Sequence, residues 1–309
     1  MLRNLVTLLL VLFCSMIAAA QPREPAAQWF ERGQQRLVKD DFDGAIADFT
    51  KVIVLNVARS EDDKGPVKFE FNEEPSARDT VTFVSPLVAA AYGGRCLARY
   101  RKHHLADAIA DCDRALALNP GLTQVYTNRG VMLWVKGDLD GALADFDRVI
   151  KVNPRDAQAY ENRGNVLFDK GNLAAALIDI ERAIALDPRK AAFYCSRGQV
   201  RQEIGAIDSG LADCERALSL EPNLPRASYC RGTALHAKGD LTGAAAAFRR
   251  ATQLDPNMAE AFGNLGVVLL RLGQDAEAEK AFAECIRLDP SAQAKLERYR
   301  RKARNPGSE

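Results

Sequence analysis

The residues whose side chains could do chemistry are first of all seven cysteines and three histidines. Cys96, His103, His104 and Cys112 bring thiols and imidazoles into one short stretch, and these are side chains that zinc prefers as ligands. A helix running from Cys96 to His103 would separate the two by about 10 Å, whereas zinc ligands must lie within about 2.3 Å of one ion. The spacing therefore predicts no metal site.

Disulfide formation is the second chemistry open to these cysteines. Six of them follow the first twenty residues, and an even number permits disulfides in an exported protein. Cys96 and Cys112 are the best candidate pair, because the periodicity described below places them on two facing helices at a similar distance from the turn. Cys214 can pair with Cys195 or Cys230, which leaves the last cysteine without an obvious mate. Small buried residues at tight helix contacts are the alternative for all six.

Catalytic motifs are missing from the sequence. It contains no nucleophile elbow, no phosphate-binding loop and no metal-binding motif, and its paired carboxylates recur only as part of a surface pattern. The 42 basic residues nearly balance the 41 acidic residues, so no excess of positive charge favours nucleic acid as a partner. The protein is therefore predicted to be neither an enzyme nor a cofactor-binding protein.

The elements that position these residues repeat every 34 residues. Prolines mark this period, and each closes a short phrase such as LNP or LDP: Pro120, Pro154, Pro188, Pro222, Pro256 and Pro290. In the unit 123–156, whose first residue is counted as position 1, two helical stripes are separated by Gly137 and Asp138. The stripes comprise Tyr126, Gly130 and Leu133 before this break and Ala142, Phe146 and Val149 after it. A fixed period of this length with two helical stripes indicates stacked helix pairs.

This pattern resembles the tetratricopeptide repeat family, whose units share the same small and aromatic positions. The resemblance implies an all-α fold, a right-handed α-solenoid of about seven helix-turn-helix repeats. The predicted repeats are 26–57, 89–122, 123–156, 157–190, 191–224, 225–258 and 259–292. Residues 293–309 are predicted to form a capping helix and tail, since an open solenoid must cover its last apolar face.

The first twenty residues form a separate element. Arg3 precedes an apolar run from Leu5 to Ala20 that ends in three alanines, which is typical of a cleavable signal peptide over residues 1–20. We therefore expect an exported protein, periplasmic if it is bacterial and secreted or in a secretory lumen otherwise. An uncleaved membrane anchor is the alternative, although the run is short for a span of about 20 residues.

An insertion interrupts the period after the first repeat. Val57 and Pro120 are 63 residues apart instead of 34, so the predicted insertion covers residues 58–88. Apolar and polar residues alternate over 67–71 and 80–84, which predicts a short β-hairpin that packs against the repeats or contacts a partner. A tolerated loop without a function is the alternative.

Arginine recurs at position 7 and aspartate at position 23 of most repeats. Pairing each aspartate with the arginine of the next repeat always matches opposite charges, whereas pairing within a repeat fails once, at Arg231 and Ala247. The sequence thus predicts ion pairs between successive repeats. They are Asp48–Arg95, Asp111–Arg129, Asp145–Arg163, Asp179–Arg197 and Asp213–Arg231. Solvated side chains or local contacts are the alternative.

The resemblance also implies where a partner would bind, because the first helices of tetratricopeptide repeats line a concave groove. Amides and aromatic residues dominate these positions here, a composition that suits a protein segment better than a polyanion. The candidate groove residues are Asn128, Trp134, Asn162, Asn165, Phe168, Gln199, Tyr229 and Asn264. We therefore expect a non-catalytic scaffold for assembly of an envelope or secretory-compartment complex.

Two other functions fit the same sequence. One is a self-assembling structural protein whose stacking ends carry the role. The other is a membrane-anchored adaptor, if the leader is not cleaved. The basic C-terminal helix offers a second route to an anionic membrane surface. The sequence identifies neither the partner nor the oligomeric state.

Overall fold

The structure, a computed structural model, describes residues 26–62 and 86–304, and every regular element in these ranges is helical. The α-helices are α1 (Ala26–Val38), α2 (Phe42–Asp62), α3 (Pro86–Arg101), α4 (Leu105–Leu118), α5 (Thr123–Lys136), α6 (Leu139–Val152), α7 (Ala157–Asp169), α8 (Leu173–Leu186), α9 (Ala191–Glu203), α10 (Ile207–Leu220), α11 (Pro225–Ala237), α12 (Leu241–Leu254), α13 (Ala259–Arg271), α14 (Asp275–Leu288) and α15 (Gln293–Arg304). A 3₁₀ turn, Pro290–Ala292, precedes α15. The prediction of an all-α protein made of helix pairs is confirmed.

The predicted insertion is shorter in the structure than in the sequence pattern. Helix α2 continues to Asp62 and α3 begins at Pro86, so both ends of the predicted 58–88 segment belong to helices. The two runs expected to form the hairpin, 67–71 and 80–84, lie outside the described residues, as does the predicted leader.

The protein divides into two compact units, Met1–Met132 and Leu133–Glu309. Both are built on a contact between position 8 and position 24 of a repeat. In the second unit, a Cβ on Gly232 would lie 2.6 Å from the ring of Phe248, and one on Gly266 would lie 2.5 Å from Phe282. Glycine is therefore required because the aromatic ring of the second helix occupies the space of a side chain on the first.

The turn between the two helices of each repeat needs a left-handed residue at position 15. Glycine supplies it in five repeats: Gly137, Gly171, Gly205, Gly239 and Gly273. The first two repeats use Asp40 at φ 58° and His103 at φ 64° instead. A left-handed conformation costs a residue with a Cβ roughly 1–2 kcal/mol, and aspartate tolerates it better than most residues.

Two repeats replace the large residue at position 24 with cysteine, and a disulfide takes its place. Cys112 is bonded to Cys96 across its own helix pair, with an S–S distance of 2.04 Å. Cys214 is bonded instead to Cys230 of the following repeat, so the disulfide joins α10 to α11. The two remaining cysteines of the described residues, Cys195 and Cys285, are free and buried. The first disulfide also leaves no thiolate at Cys96 or Cys112 to bind zinc.

The predicted inter-repeat pairing of aspartate and arginine is wrong wherever the structure shows the bonds. The position-23 aspartates bind the arginine of their own repeat in two-pronged pairs: Arg32–Asp48, Arg95–Asp111, Arg163–Asp179 and Arg197–Asp213. Asp48, Asp111, Asp179 and Asp213 therefore do not serve as links to Arg95, Arg129, Arg197 and Arg231. For the predicted Asp145–Arg163 pair, the structure shows Arg163 bound to two other aspartates, Asp179 and Asp147.

The same arginines do reach the preceding repeat, but at position 25 rather than position 23. Arg163 Nη1 donates to Asp147 Oδ1 at 2.6 Å, and Arg129 Nη1 donates to Asp113 Oδ1 at the same distance. Arg95 donates to the hydroxyl of Thr50 at 3.0 Å. A tyrosine at position 4 places its ring over the guanidinium, as Tyr160 does 5.6 Å from Arg163. Each such arginine thus holds its own helix pair together and contacts the repeat before it.

The C-terminal helix α15 covers the end of the second unit. Leu296 is 4% exposed and joins the apolar core formed by α12 to α14. Arg300 lies over the ring of Phe282 at 5.0 Å and pairs with Glu279 at 2.6 Å. Arg300, one of the basic residues of α15, therefore helps to attach this helix to the last repeat.

Candidate functional site

The first helices of the later repeats pack side by side. Helix α7 contacts α9, α9 contacts α11, and α11 contacts α13. We call the surface that they share, over residues 157–271, the first-helix face. Seven of the eight candidate groove residues lie in the second unit, and six of these lie on this face. Asn128 belongs to the first unit, where its side chain accepts a hydrogen bond from Gln124 at 3.2 Å.

A buried carboxylate lies on α7, the first helix of the first-helix face. Glu161 on α7 is 4% exposed. Its Oε1 accepts hydrogen bonds from Asn165 Nδ2 at 2.6 Å and from Ser196 Oγ at 2.7 Å, while its Oε2 accepts one from Gln158 Nε2 at 2.7 Å. A buried charge is tolerated only when hydrogen bonds and an opposite charge replace its hydration.

Arg226 supplies that opposite charge from two repeats away. Its Nη1 lies 3.5 Å from Glu161 Oε1, and its Nη2 donates to Gln199 Oε1 at 2.8 Å. The side chain thus spans from α11 over α9 to α7, and it remains about one-third exposed, at 35%. Three neighbouring first helices are thereby joined by one polar network.

The predicted amides Asn162, Asn165 and Gln199 all belong to this network. Asn162 is 8% exposed, and its Oδ1 accepts a hydrogen bond from Gln158 at 3.0 Å. Asn165 and Gln199 are half-buried, each with one end of its amide bound as described above. The structure therefore brings together three candidates that the sequence placed in separate positions.

The next two first helices are joined by a second polar contact. Asn264 Nδ2 donates to Tyr229 Oη at 3.0 Å, and the tyrosine ring lies 5.7 Å from Phe248. Burial raises the pKa of Tyr229 above its ordinary value, so its hydroxyl stays neutral at physiological pH. These two candidates lie together as a pair that bridges α11 and α13.

The aromatic candidates near the start of the second unit have different surroundings. Trp134 donates through Nε1 to Asp169 Oδ2 at 2.6 Å, which connects the end of α5 to the end of α7. Phe168 packs against the core around Ile180 and Val200. Phe168 is therefore chiefly a packing residue, whereas Trp134 is half-buried at the edge of the face.

Sequence reasoning missed the two charged residues that organise the network. Glu161 and Arg226 occupy positions 5 and 2 of their repeats, within the groove positions, but they are outnumbered there by neutral side chains. The sequence does show that these two groove positions carry opposite charges. Because 65 residues separate Glu161 from Arg226, the sequence alone did not indicate that the two side chains are in contact.

A buried thiol, Cys195, lies beside this network. Burial raises the pKa of the Cys195 thiol to about 12, so the nearby cysteine is protonated and weakly nucleophilic at neutral pH. Over the described ranges, no three His, Cys, Asp or Glu side chains are arranged to hold a metal ion. None of the helices in residues 26–62 and 86–304 combines the length and apolar character needed to cross a bilayer.

Family models match several parts of the protein. Two models described as tetratricopeptide repeat match residues 127–191 and 259–292, and one described as TPR repeat matches residues 232–273. A sequence comparison with curated proteins finds no match. The matched segments include all of α7 and α13 and part of α11, whereas α9 is matched only at its first residue.

Solved structures show the same fold over longer stretches. A tetratricopeptide repeat protein from Parabacteroides merdae has a TM-score of 0.69 and 15% identity, over 89% of this protein and 98% of that one. Pseudomonas aeruginosa pilF has a TM-score of 0.55 and 17% identity, over 69% of this protein and 97% of that one. A Thermus thermophilus TPR protein has a TM-score of 0.53 and 21% identity, over 59% and 99%. At these identities the similarity is one of fold.

Proposed function

Because this is a tetratricopeptide repeat protein, we propose that it is a non-catalytic scaffold that binds a segment of a partner protein on the first-helix face of its second unit. Repeats of this family generally serve as protein-interaction scaffolds without catalytic activity. The first-helix face carries a concentrated set of polar groups on packed helices.

The observation that carries this proposal is the network around Glu161. Asn165 and Gln199 each use one end of the amide within the network and keep the rest of the side chain half-buried at the surface. Amides held in this way lose little side-chain freedom when a ligand binds, which lowers the entropic cost of association. The network therefore acts as a preorganised surface for polar recognition.

The proposal includes export of the protein, to the periplasm if it is bacterial. Two features support it: the apolar N-terminal run of the sequence, and the two disulfides of the repeats. Disulfides persist in oxidising compartments and are rare in the reducing cytosol. In such a compartment the scaffold would contribute to assembly of an envelope or secretory complex, with the segment between α2 and α3 as an additional contact.

The experiment is affinity capture from the cell-envelope fraction of the native host, with residues 21–309 as bait. The test variant carries Asn165→Ala and Gln199→Ala on the first-helix face. The matched control carries Lys151→Ala and Arg182→Ala, two exposed residues on the second helices α6 and α8.

Three results distinguish the proposal from its alternatives. A partner recovered by the wild type and the control, but lost with the test variant, supports binding on this face. A partner that all three baits retain moves the function to another surface and contradicts the proposal. Recovery of the protein itself alone would favour the self-assembling alternative.

A further inference from the structure

One face of the C-terminal helix α15 is used by contacts within the protein. Leu296 and Arg300 are four residues apart, so they lie on the same side of the helix. Leu296 is part of the apolar core of the second unit, and Arg300 lies over the ring of Phe282. This side therefore holds α15 against the last repeat and offers no apolar surface to a partner.

Another side of α15 is basic and exposed. Lys295 is three residues from Arg298 and four from Tyr299, so these three side chains form one stripe, which we call the α15 basic stripe. All three are exposed, and Tyr299 keeps 43% of its surface. Within the described part of the protein, neither Lys295 nor Arg298 has an ion-pair partner, whereas Arg300 pairs with Glu279.

The positive charge of this helix is concentrated and not locally balanced. The sequence of α15 has six Lys and Arg residues against one Glu, although the whole protein has a net charge of only +1. The one acidic residue, Glu297, is one or two positions from each member of the stripe, so it lies on a different side of the helix. Its carboxylate accepts a hydrogen bond from Gln293 at 3.1 Å.

We propose that the α15 basic stripe binds the anionic phospholipid headgroups of a membrane surface. A cluster of four to eight Lys or Arg residues on an amphipathic helix is typical of attraction to an anionic leaflet. Tyr299 favours a bilayer over an acidic protein, because a ring with a polar hydroxyl suits the boundary between headgroups and acyl chains.

This contact is with the surface of the bilayer. Helices that insert into the interface bury an apolar face there, but the apolar side of α15 is already packed on the repeats. The attraction is therefore mainly electrostatic, so it should be reversible and weakened by salt. The proposal does not depend on the first-helix face, although membrane binding would bring the unit that carries this face to the lipid surface.

The experiment is co-sedimentation of residues 21–309 with lipid vesicles, which leaves out the apolar N-terminal run. One set of vesicles is phosphatidylcholine alone, and the other has equal parts of phosphatidylcholine and phosphatidylglycerol. The test variant carries Lys295→Gln and Arg298→Gln. The charge-matched control carries Lys151→Gln and Arg182→Gln, two exposed residues on α6 and α8.

The wild type should sediment with the anionic vesicles and stay in solution with the neutral vesicles. The test variant should bind about 30-fold more weakly, since each basic residue near an anionic surface contributes about five-fold. The control should bind like the wild type. Raising the salt concentration to about 1 M, where charges are screened beyond about 3 Å, should release the protein. Circular dichroism checks that both variants keep the helical content of the wild type.

Other results would overturn the proposal. Failure of the wild type to sediment with the anionic vesicles would remove the membrane as a partner. If soluble polyglutamate bound the protein and the vesicles did not, the stripe would be assigned to an acidic protein instead. Equal weakening in the test variant and the control would show a general effect of charge rather than a site on α15. Each of these results leaves the proposed function of the first-helix face standing.

Discussion

The partner of Asp213 provides a direct test of how the repeats are joined. The sequence pattern favours Arg231 of the next repeat, but the structure pairs Asp213 with Arg197 of its own repeat through contacts of 2.9 and 2.7 Å. Arg201 adds a third contact at 2.8 Å. The hydrogen bond with Asp213 is the largest of the interactions that raise the pKa of Arg197.

The expected loss of stability on mutating Asp213 follows from the burial of its carboxylate. Asp213 is 4% exposed, and removing one partner of a buried ion pair costs about 3–5 kcal/mol. Since Arg197 and Arg201 remain 18% and 24% exposed and can regain water, we place the loss for Asp213→Asn near the lower end, at about 3 kcal/mol. Hydrogen bonds to charged groups contribute about 1.5–3 kcal/mol, which sets the expected coupling between Asp213 and Arg197.

The assay is a double-mutant cycle in urea, followed by circular dichroism. Asp213→Asn is combined with Arg197→Met in one cycle and with Arg231→Met in the other. The second arginine stands at the same repeat position, so it is a matched control. We expect coupling of about 1.5–3 kcal/mol in the first cycle and less than about 0.5 kcal/mol in the second. Larger coupling to Arg231 than to Arg197 would refute the pairing within the repeat.

Three further predictions concern the cysteines, the helix contact and the acid response. Denatured without reductant, residues 21–309 should show two reactive thiols, Cys195 and Cys285; six would contradict both disulfides. Gly232→Ala should lower the free energy of unfolding by about 1–3 kcal/mol, because the new Cβ would lie 2.6 Å from Phe248; an unchanged melting temperature would refute this contact. Burial alone would raise the pKa of Asp48, but hydrogen bonding and nearby positive charges hold it below its ordinary value. Its contribution to stability is therefore complete above about pH 4 and is lost as the pH falls through the lowered pKa; Asp48→Asn should reduce the acid sensitivity of hydrogen exchange in the first repeat, and parallel acid curves would argue against it.

The helix pairs were predictable because the signal for them is repeated. A proline every 34 residues and a break between two apolar stripes set the register of the repeats, and the helices of the structure follow that register from Thr123 onward. The end of α2 was not predictable in the same way, since the first repeat lacks the proline that would mark its end.

The ion pairs were misassigned because the prediction compared only the residue types at positions 7 and 23. It did not consider how far each residue lies from the turn that joins the two helices. Two antiparallel helices bring together residues equally far from the turn between them, and positions 7 and 23 are both eight residues from position 15. The contacts Arg163–Asp179, Asp147–Arg163 and Cys214–Cys230 all have a separation of 16 residues for this reason. The same geometry correctly favoured Cys96 with Cys112. Applied to the arginines, it would have given both of their contacts.

The candidate site was predictable in its location but not in its organisation. Amides at the first-helix positions could be read from the repeat register. The role of Glu161 could not, because it depends on how far the side chain of Arg226 reaches across the intervening helix. Gly210, at the position where the repeat 123–156 has Ala142, also depends on a side chain of the facing helix. A Cβ at this position would lie 2.8 Å from the side chain of Gln202.

Hydrogen–deuterium exchange of the protein with and without its captured partner tests the central claim most directly. If the first-helix face binds the partner, protection should increase in α7, α9 and α11, with the second helices α8 and α10 changing little. Protection confined to the second helices or to α15 would contradict the account and place the interaction on another surface.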